Sequence, residues 1–469
     1  MNLLKLIRPL IGPLLFFIIL LLPLELESSA HRFLGIFTMT VYLWLEGKVP
    51  LFVTGLLGVS LSVLMGVENA STALASFANP IIFLFLAGFL YAKAMENIGL
   101  DRRLSLTILS MPSIRKSFNR LILVLFFLTA FLSMWVSNTA TTAMMLPIVL
   151  GILSSLGIKD QRTKVAMLLG VAYSASIGGL GSPVGSPPNI IAIGLLRELK
   201  GIEIAFYQWL IYGIPFVIIF IFILFYFIKH MLDVDAKVDK DFIQTELNKL
   251  GKVKFKEQVL VLLFTLLVAA WFLPGILHAV FNNDFTGSIK STFNTGIVGA
   301  FFACLLFIIP FKNDTTILDA HDFKSIDWGA LFLFGAGLSL GKILFATGLA
   351  DLAGKIVIEN ILGSGLFFML IVLCYFTIFS TELASNTASA NILIPIIIAA
   401  CGELGINARY PIVAIALCCS LAFMLPVSTP PNAIVYGTGE VEVKDMIKLG
   451  IKLNLIFGFI VALAFYLFI

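Results

Sequence analysis

Charged residues are scarce in this chain. Asp, Glu, Lys and Arg together make up 12% of its 469 residues, whereas hydrophobic residues make up 59%. A soluble globular protein carries roughly 25% charged residues, so the composition excludes an ordinary soluble domain. Several apolar runs reach the roughly 18 residues that indicate a membrane span, among them 206–228, 259–280 and 449–469. The composition therefore predicts an all-α integral membrane protein, because helices satisfy their own backbone groups in lipid.

Cysteine and histidine are also few, and their positions exclude two kinds of site. The five cysteines lie in apolar runs without metal-ligand spacing, which favours small core residues over a disulfide framework. The four histidines are scattered without metal-ligand spacing, which favours loop or interface positions over a metal site. The sequence shows no nucleophile–base pair, phosphate-binding loop or basic patch interleaved with aromatics. We therefore expect neither an enzyme, nor ATP hydrolysis, nor an organic cofactor, nor nucleic-acid binding.

Two polar motifs occur twice in the chain. Ser-Asn-Thr occupies 137–139 and 385–387, and Pro-Pro-Asn occupies 187–189 and 430–432. Proline interrupts a helix because it lacks the amide donor. Backbone freed from a helix inside a membrane is tolerated only where it is buried in protein or lines a cavity. Paired broken segments in the two halves of a chain are typical of a transporter's binding site.

The repetition extends beyond these motifs. Gly88 and Lys93 match Gly337 and Lys342 at almost the same offset that separates the two Ser-Asn-Thr motifs. A nearly constant offset indicates an internal repeat. The first apolar run lacks a small-residue cleavage pattern, which favours a retained span over a signal peptide. The predicted organisation is an N-terminal span at 1–29, a first repeat at 30–230, a cytoplasmic linker at 231–256 and a second repeat at 257–469.

The charges of the loops predict how the two repeats are oriented. Basic residues dominate 101–120 and 159–164, so the positive-inside rule places both loops in the cytoplasm. The apolar stretch between them, 121–156, is short for two helices of ~20 residues and a turn. It therefore predicts a re-entrant hairpin with the first Ser-Asn-Thr at its tip. The second hairpin, 363–401, has neutral or acidic flanks, and we expect it to enter from the outside.

These assignments give about eleven transmembrane helices plus two re-entrant hairpins. Broken helices are expected at about 165–197 and 410–437. Five spans in each repeat is an odd number, so the repeats have opposite orientations, and such inverted-topology repeats are typical of secondary transporters. We expect a multi-pass protein of the cytoplasmic (inner) membrane with its N-terminus inside.

Ser-Asn-Thr at a hairpin tip presents hydroxyl and amide groups where two helices end. Helix N-termini attract anions, while free carbonyl and hydroxyl oxygens suit a hard cation such as Na⁺. Ser133 and Thr381 each lie one turn before a tip and add an oxygen on the same helix face. Ser186, in the first break, is expected to face the first tip. A lone Ser or Thr in a membrane helix usually serves helix packing, but recurrence of both motifs at matched spacing favours a binding site.

Three intramembrane charges have open roles. Lys93 and Lys342 are functional or paired groups, or lysines near helix ends whose amines reach the membrane surface. Glu96 is a candidate partner of Lys93. Glu382 lies beside the second motif, where the first copy has Met134. It is either a proton-coupling group or a carboxylate at a helix terminus.

With these four motifs the sequence resembles the divalent anion/sodium symporter family, which contains the sodium-dependent dicarboxylate, citrate and sulfate carriers. The resemblance covers almost the whole chain, although Ser186 stands where many members have Thr. It implies a homodimer in which a mobile transport domain moves as an elevator against a fixed scaffold. It implies two Na⁺ sites, the first at Ser133, Ser137, Asn138 and Gly185 and the second at Thr381, Ala384, Asn386 and Ser428. It implies substrate contacts from Ser137, Asn138, Thr139, Pro187, Ser385, Asn386, Thr387, Thr429 and Pro430.

The expected function is secondary active transport of a small divalent anion, a C4-dicarboxylate such as succinate, by Na⁺ symport. The four motifs contain no Arg or Lys, so bound Na⁺ and helix dipoles must balance the charge of a dianion. That predicts binding of the cations before the anion. The alternatives are a sulfate-type oxyanion carrier and a Na⁺-independent dicarboxylate exchanger on the same scaffold. From a different class, a channel or a membrane scaffold protein is also an alternative.

Overall fold

The computed structural model describes residues 3–114, 116–232, 240–311, 315–361 and 365–468. Within these ranges the chain is helical, and an isolated bridge between Phe311 and Thr315 is the only β-type pairing. Parts of the predicted segments lie outside the described residues. These are 1–2 in the N-terminal span, 115 in the first repeat, 233–239 in the linker, and 312–314, 362–364 (including the start of the second hairpin) and 469 in the second repeat.

The helices of the first half and the linker follow one another with short connections. Two single 3₁₀ turns, Ser76–Ala78 and Pro183–Gly185, interrupt them. The helices are α1 Leu3–Leu21, α2 Ser28–Glu46, α3 Leu51–Leu64, α4 Ala70–Ala75, α5 Pro80–Ile98, α6 Leu100–Leu109, α7 Phe118–Ser133, α8 Asn138–Ser155, α9 Gln161–Gly178, α10 Pro187–Lys200, α11 Phe206–Lys229 and α12 Lys240–Lys249.

The second half has the same alternation of long helices and short connections. Its helices are α13 Phe255–Phe281, α14 Asp284–Thr292, α15 Thr295–Ile308, α16 Ala320–Ser325, α17 Trp328–Ala346, α18 Leu349–Ile361, α19 Leu366–Leu383, α20 Asn386–Glu403, α21 Arg409–Cys419, α22 Pro430–Tyr436 and α23 Val443–Tyr466. Both Pro-Pro-Asn motifs stand at the start of a helix, where proline is favoured because its missing N–H has no partner in the first turn.

The protein is a multi-pass membrane protein. Among the described residues, eight helical segments are long and apolar enough to cross a membrane. They are Ala70–Ile98, Asn138–Ser155, Phe206–Lys229, Phe255–Phe281, Trp328–Ala346, Leu366–Leu383, Asn386–Glu403 and Val443–Tyr466. Shorter apolar helices include Phe118–Ser133 and Arg409–Cys419. The count of about eleven spans and the opposite orientation of the repeats stay predictions.

Local signals set several helix boundaries. Gly99 lies between α5 and α6, Gly348 lies between α17 and α18, and both have a φ of +73°. This left-handed conformation is strained for a residue with a Cβ, so glycine permits the turn at both places.

Asp160 caps α9 by accepting from the Thr163 N–H at 2.7 Å. Hydrogen bonds from the Thr163 side chain and backbone lower the pKa of Asp160 below its usual value.

The linker segment contains a helix that contacts the first half. Glu246 of α12 forms an ion pair with Arg102 of α6, at 2.7 Å. Arg103, the next residue of α6, pairs with Glu257 at the start of α13, at 2.6 Å. The first contact holds the linker, and the second holds the start of α13, against the segment 101–120 that the sequence predicts to be cytoplasmic.

The buried side chains form two groups. The smaller group joins α1, α2 and α3 to α17, and includes Phe33, Trp44 and Leu340. The larger group contains α7 to α11 and α19 to α23, together with α5, α13 and α15. The repeated motifs therefore belong to the larger group, and α17 contributes side chains to both.

Two short helices hold the hairpin arms in place. α9 packs against α7 and α8, and every residue from Val165 to Gly178 is buried. α21 packs against α19 and α20, and every residue from Pro411 to Cys419 is buried. Membrane helices approach closely at small residues, because lipid provides no hydrophobic drive between them. Gly178 is such a residue, since its Cα lies against the backbone of Ala130 in α7.

Substitution Gly178→Ala is expected to destabilise the contact between α9 and α7. A Cβ at this position would lie 2.6 Å from the Ala130 Cα, so the backbones must separate. Such overpacking costs roughly 1–3 kcal/mol, which should lower the thermal unfolding temperature in detergent by several degrees. The control is Gly287→Ala, where the nearest atom, Cε1 of His278, is 3.6 Å from the new Cβ. Equal unfolding temperatures for the two variants would contradict the prediction.

Candidate functional site

Both Ser-Asn-Thr motifs lie on the wall of one cavity of about 970 Å³. Ser137 is the N-cap residue of α8, and Ser385 is the N-cap residue of α20. Ser186 and Thr429 hold the same position before α10 and α22. Four helices therefore begin at this wall. Since α10 and α22 each begin with two prolines, which have no N–H, the free N–H groups of first turns come mainly from α8 and α20.

Most of the predicted site residues line this cavity. They are Ser137, Asn138, Thr139, Gly185, Pro187, Ala384, Ser385, Asn386, Thr387, Ser428, Thr429 and Pro430. The remaining two, Ser133 and Thr381, lie behind the tips and are fully buried. The Thr429 hydroxyl is buried and has no hydrogen-bond partner among the described residues.

At the first tip, oxygen atoms converge on the amide of Asn138. Ser133 Oγ lies 2.6 Å from it, the Ala175 carbonyl 3.1 Å and the Gly185 carbonyl 3.3 Å. With its nitrogen turned toward them, Asn138 donates to these oxygens. With its Oδ1 turned toward them, the group presents only oxygen ligands. That second arrangement has the chemistry of a hard-cation site, so the residues fit a Na⁺ ion.

The second tip has a related arrangement, in which the carbonyl meets the hydroxyl instead of the amide. The Thr381 hydroxyl lies 2.7 Å from Oδ1 of Asn386 and 2.8 Å from the carbonyl of Cys419. In both halves, therefore, a hydroxyl one turn before the motif meets the motif's amide. A carbonyl from the last turns of the adjacent broken helix completes each group, Ala175 in α9 and Cys419 in α21.

The asparagine of each Pro-Pro-Asn motif closes the break that precedes it. Nδ2 of Asn189 donates to the carbonyls of Gly179 and Ser182, both at 2.8 Å. Nδ2 of Asn432 donates to the carbonyl ten residues before it, at 3.1 Å, and to the one seven residues before it, at 3.0 Å. The spacing is identical in the two halves. Sequence reasoning missed this role, although the equal distance of each Asn from its break was a signal.

A serine hydroxyl fastens each break to the neighbouring hairpin tip. Ser182 donates to the carbonyl of Met134. Ser428 donates to the carbonyl of Glu382, at 2.9 Å. Met134 and Glu382 stand at the same place before their Ser-Asn-Thr motifs, but Ser182 lies seven residues before Asn189 and Ser428 lies four residues before Asn432. The two hydrogen bonds therefore reach equivalent points of the tips from different points of the breaks.

The two breaks also contact each other. Ser186 Oγ lies 2.8 Å from Oγ of Ser420, at the end of α21. The expectation that Ser186 faces the first tip was therefore incomplete, because α10 packs against α21 and brings this hydroxyl to the other break. Tyr173 of α9 donates to the carbonyl of Phe423, at 2.6 Å. These contacts make the two halves of the site one buried unit.

Fixed positive charge is scarce at the cavity. Lys93 is the one cationic residue among the described residues that line it, and it pairs with Glu96 at 3.2 Å. Glu46 and Asp327 also line the cavity. The walls therefore carry more acidic than basic side chains. The side chains of the cavity wall alone thus cannot balance the charge of a bound anion.

Lys342 does not share the environment of Lys93. It lies on α17 and forms an ion pair with Glu198 of α10. Glu198 also accepts from Nδ2 of Asn79, the N-cap residue of α5, at 2.5 Å. Glu198 therefore links α10 to α17 through Lys342 and to α5 through Asn79.

One cluster outside the cavity has the composition of a metal site. The ligand atoms of Asp319, His321 and Asp322 lie within 4.8 Å of one another, a closeness that the scattered histidines of the sequence did not predict. Asp319 accepts from the backbone N–H groups of the other two residues, and Asp322 accepts from the Asp319 N–H and from Asn97. The cluster is the capping box of α16, and these hydrogen bonds account for its geometry.

Comparison with known proteins identifies the family. The model of the sodium:sulfate symporter transmembrane region matches residues 2–468. The chain belongs to the divalent anion/sodium symporter family. The resemblance inferred from the four motifs is thereby confirmed.

Relatives within this symporter family match along nearly their whole length. The sodium-dependent dicarboxylate transporter SdcS of Staphylococcus saprophyticus is 35% identical over 485 residues, covering 99% of this chain and 91% of the relative. The SdcS protein of Staphylococcus aureus is 34% identical over 480 residues, covering 98% and 91%. A Haemophilus influenzae protein named an uncharacterized transporter is 36% identical over 458 residues, covering 96% and 95%.

A solved structure shares the fold. The crystal structure of the Alcanivorax borkumensis YdaH transporter aligns with a TM-score of 0.54 and 14% identity, covering 84% of this symporter chain and 86% of that chain. At this identity the likeness concerns the fold alone.

Substitution Asn432→Asp is expected to open the second break. The carboxylate keeps the shape of the amide but brings an acceptor to the carbonyls of Ala422 and Leu425. Leaving buried groups unpaired costs roughly 1–3 kcal/mol, so we expect a lower thermal unfolding temperature in detergent. The control is Asn407→Asp, because the exposed Asn407 uses its oxygen to accept from the Arg409 N–H, which Asp also does. If Asn432→Asp unfolds at the same temperature as the control, the hydrogen bonds of Asn432 do not stabilise the second break.

Proposed function

We propose that this protein is a secondary active transporter that carries a small dicarboxylate together with Na⁺. The supporting observation is that two tips with hydroxyl, amide and carbonyl oxygens lie on one cavity. Helices begin at this cavity, and Lys93 is the one cationic side chain among the described residues that line it. Relatives named sodium-dependent dicarboxylate transporter, 34–35% identical, favour this substrate class and this coupling ion. The family model that names sulfate makes a sulfate-type anion the competing substrate.

Each tip would hold one Na⁺ ion as cargo. The first ion would be held by Ser133, Ser137, Asn138 and Gly185. The second would be held by Thr381, Ala384, Asn386 and Ser428. Support comes from the donor set, since hydroxyl, amide and carbonyl oxygens match the preference of a hard cation. A cation at each tip also places positive charge beside the helix N-termini.

The substrate would bind between the tips. Its carboxylates would meet the hydroxyl and amide groups of the Ser-Asn-Thr motifs and of Thr429, with Pro187 and Pro430 lining the pocket. Two tips on one cavity suit an anion with a charge at each end, which favours a dicarboxylate, and we propose a four-carbon one. The N-termini of α8 and α20 would stabilise such charges. The dianion adds favourably only after the cations have bound, so binding is ordered.

The site would be exposed alternately to the two sides of the membrane by an elevator movement. In it, the helices that carry the tips and breaks would move against the helices of the opposite cavity wall. The cavity is walled on one side by residues of α2, α5 and α17, and on the other by the tips and breaks. The tips and breaks are joined by buried hydrogen bonds, so they are suited to move as a unit. We propose that the two repeats are inverted and that the protein acts as a homodimer in the cytoplasmic membrane.

Transport should depend on a Na⁺ gradient. In proteoliposomes, uptake of labelled succinate is expected only with Na⁺ higher outside than inside, because the cations supply the charge that the cavity lacks. Uptake of labelled sulfate that excess succinate does not inhibit would favour the sulfate-type carrier. Succinate exchange in the complete absence of Na⁺ would favour an exchanger. Conductance without saturable uptake would indicate a channel.

Substitution of either tip asparagine should abolish uptake. Asn138→Ala and Asn386→Ala each remove an amide on which the oxygens of a tip converge. Losing one cation also removes the charge that the dianion requires, so we expect at least about a 100-fold loss of succinate uptake, which is roughly 2.7 kcal/mol. Asn248→Ala, on the exposed face of α12, is the control and should transport normally. Normal uptake by both tip variants would disprove the site.

A further inference from the structure

Glu382 is a buried carboxylate outside both predicted ligand sets, and most of its hydrogen bonds come from the second break. It lies at the end of α19 and is 3% exposed. Its carboxylate accepts hydrogen bonds from the backbone N–H groups of Phe423 (2.7 Å), Met424 (2.8 Å) and Leu425 (3.3 Å), from Nδ2 of Asn454 (2.7 Å) and from the Ser428 hydroxyl (2.6 Å).

These donors match what a negatively charged group requires inside a membrane. Three successive N–H groups of an irregular segment form a concave anion-binding nest, and here they surround a side chain of the protein itself. Buried charges are costly unless they are fully hydrogen-bonded. Glu382 therefore fixes the backbone of the second break and brings a negative charge to the base of the second tip.

The Ser428 hydroxyl receives its orientation from Glu382. It lies 2.6 Å from Oε2 and 2.9 Å from the backbone carbonyl of the same residue. Because a hydroxyl has one proton and both acceptors belong to Glu382, the proton points to Glu382. The lone pairs of the Ser428 oxygen are left to face other groups, and a cation ligand must offer a lone pair.

We propose that Glu382 is a positioning residue for the second cation. It turns the Ser428 oxygen into a ligand, and its charge strengthens cation binding at the second tip. This inference rests on the proposed function, because it assigns a role within the Na⁺ site of Thr381, Asn386 and Ser428.

The first half lacks such a carboxylate. Met134 holds the equivalent place, and its side chain lies against Gly181. Its backbone carbonyl still accepts the serine strap from Ser182. The two tips therefore share a hydroxyl and an asparagine oxygen but differ in charge, so the second cation site has the higher affinity and fills at lower Na⁺ concentration.

The test compares Glu382→Gln with the wild-type protein. The amide removes the charge and presents an NH₂ group where a carboxylate oxygen was, so that Ser428 can become an acceptor with its proton turned away. Loss of a group that orients a metal ligand typically weakens metal affinity about 10–100-fold. We therefore expect the Na⁺ concentration for half-maximal succinate uptake, and that for Na⁺-dependent thermal stabilisation without substrate, to rise about 10-fold or more. The KM for succinate at saturating Na⁺ should change much less.

Two further variants separate positioning from a purely structural role. Glu382→Asp keeps the charge and should lie nearer to wild type in its Na⁺ dependence than Glu382→Gln does. Thr377→Val, on the same helix, replaces a buried hydroxyl that donates only to the Leu373 carbonyl, at 2.7 Å, and should leave the Na⁺ dependence unchanged. If Glu382→Gln does not fold, Ser428→Ala removes the oriented ligand itself and should produce the same shift.

The outcomes distinguish this inference from the proposed function. If the wild-type protein transports succinate without Na⁺ and shows no Na⁺-dependent stabilisation, the proposed function is wrong. If the wild type depends on Na⁺ but folded Glu382→Gln, or in its place Ser428→Ala, keeps the same half-maximal Na⁺ concentration, Glu382 has only a structural role and the inference is overturned.

Discussion

The structure depends on one constraint, which is that backbone groups freed from a helix inside a membrane must find partners in the protein. Each broken helix meets it with the same two devices. The asparagine of Pro-Pro-Asn takes two carbonyls of the break, and a serine hydroxyl fastens the break to the tip of the neighbouring hairpin. These bonds fix the irregular segments, and fixed segments can present the remaining oxygens and N–H groups to a ligand.

The scarcity of fixed positive charge in the cavity gives a physical reason for coupling anion binding to cation binding. Among the described lining residues Lys93 is the one cation, and Glu96 already pairs with it. An anion that enters meets helix N-termini, whose partial charges are not enough for a dianion. Under the proposed function, a cation bound at each tip completes the balance, and the coupling ion is therefore part of the substrate site and is not a separate device.

The two halves share their geometry but not their charge. Ser133 and Thr381 contact the tip asparagines at nearly equal distances. Met134 and Glu382 occupy equivalent places, yet only Glu382 brings a carboxylate, and its surrounding donors have no counterpart around Met134 among the described contacts. A repeated scaffold with one altered side chain can thus hold two similar cations with different affinity.

The amino-acid sequence by itself determined the membrane class, the family and the places where helices break. Those properties are local, because apolar length and the missing N–H of proline act on neighbouring residues. The same reasoning identified the Ser-Asn-Thr residues as a group, since recurrence at matched spacing needs no contact information. Only the tertiary structure decided that Asn189 and Asn432 clamp carbonyls, that Ser186 bonds to Ser420, that Lys342 pairs with Glu198, and that Glu382 is held by the second break and by Asn454. Many of these partners are far apart in sequence, and within a break the folded path of irregular backbone sets which carbonyl an amide meets. Hydrogen bonds of this kind follow from how the helices pack, which local sequence patterns do not encode.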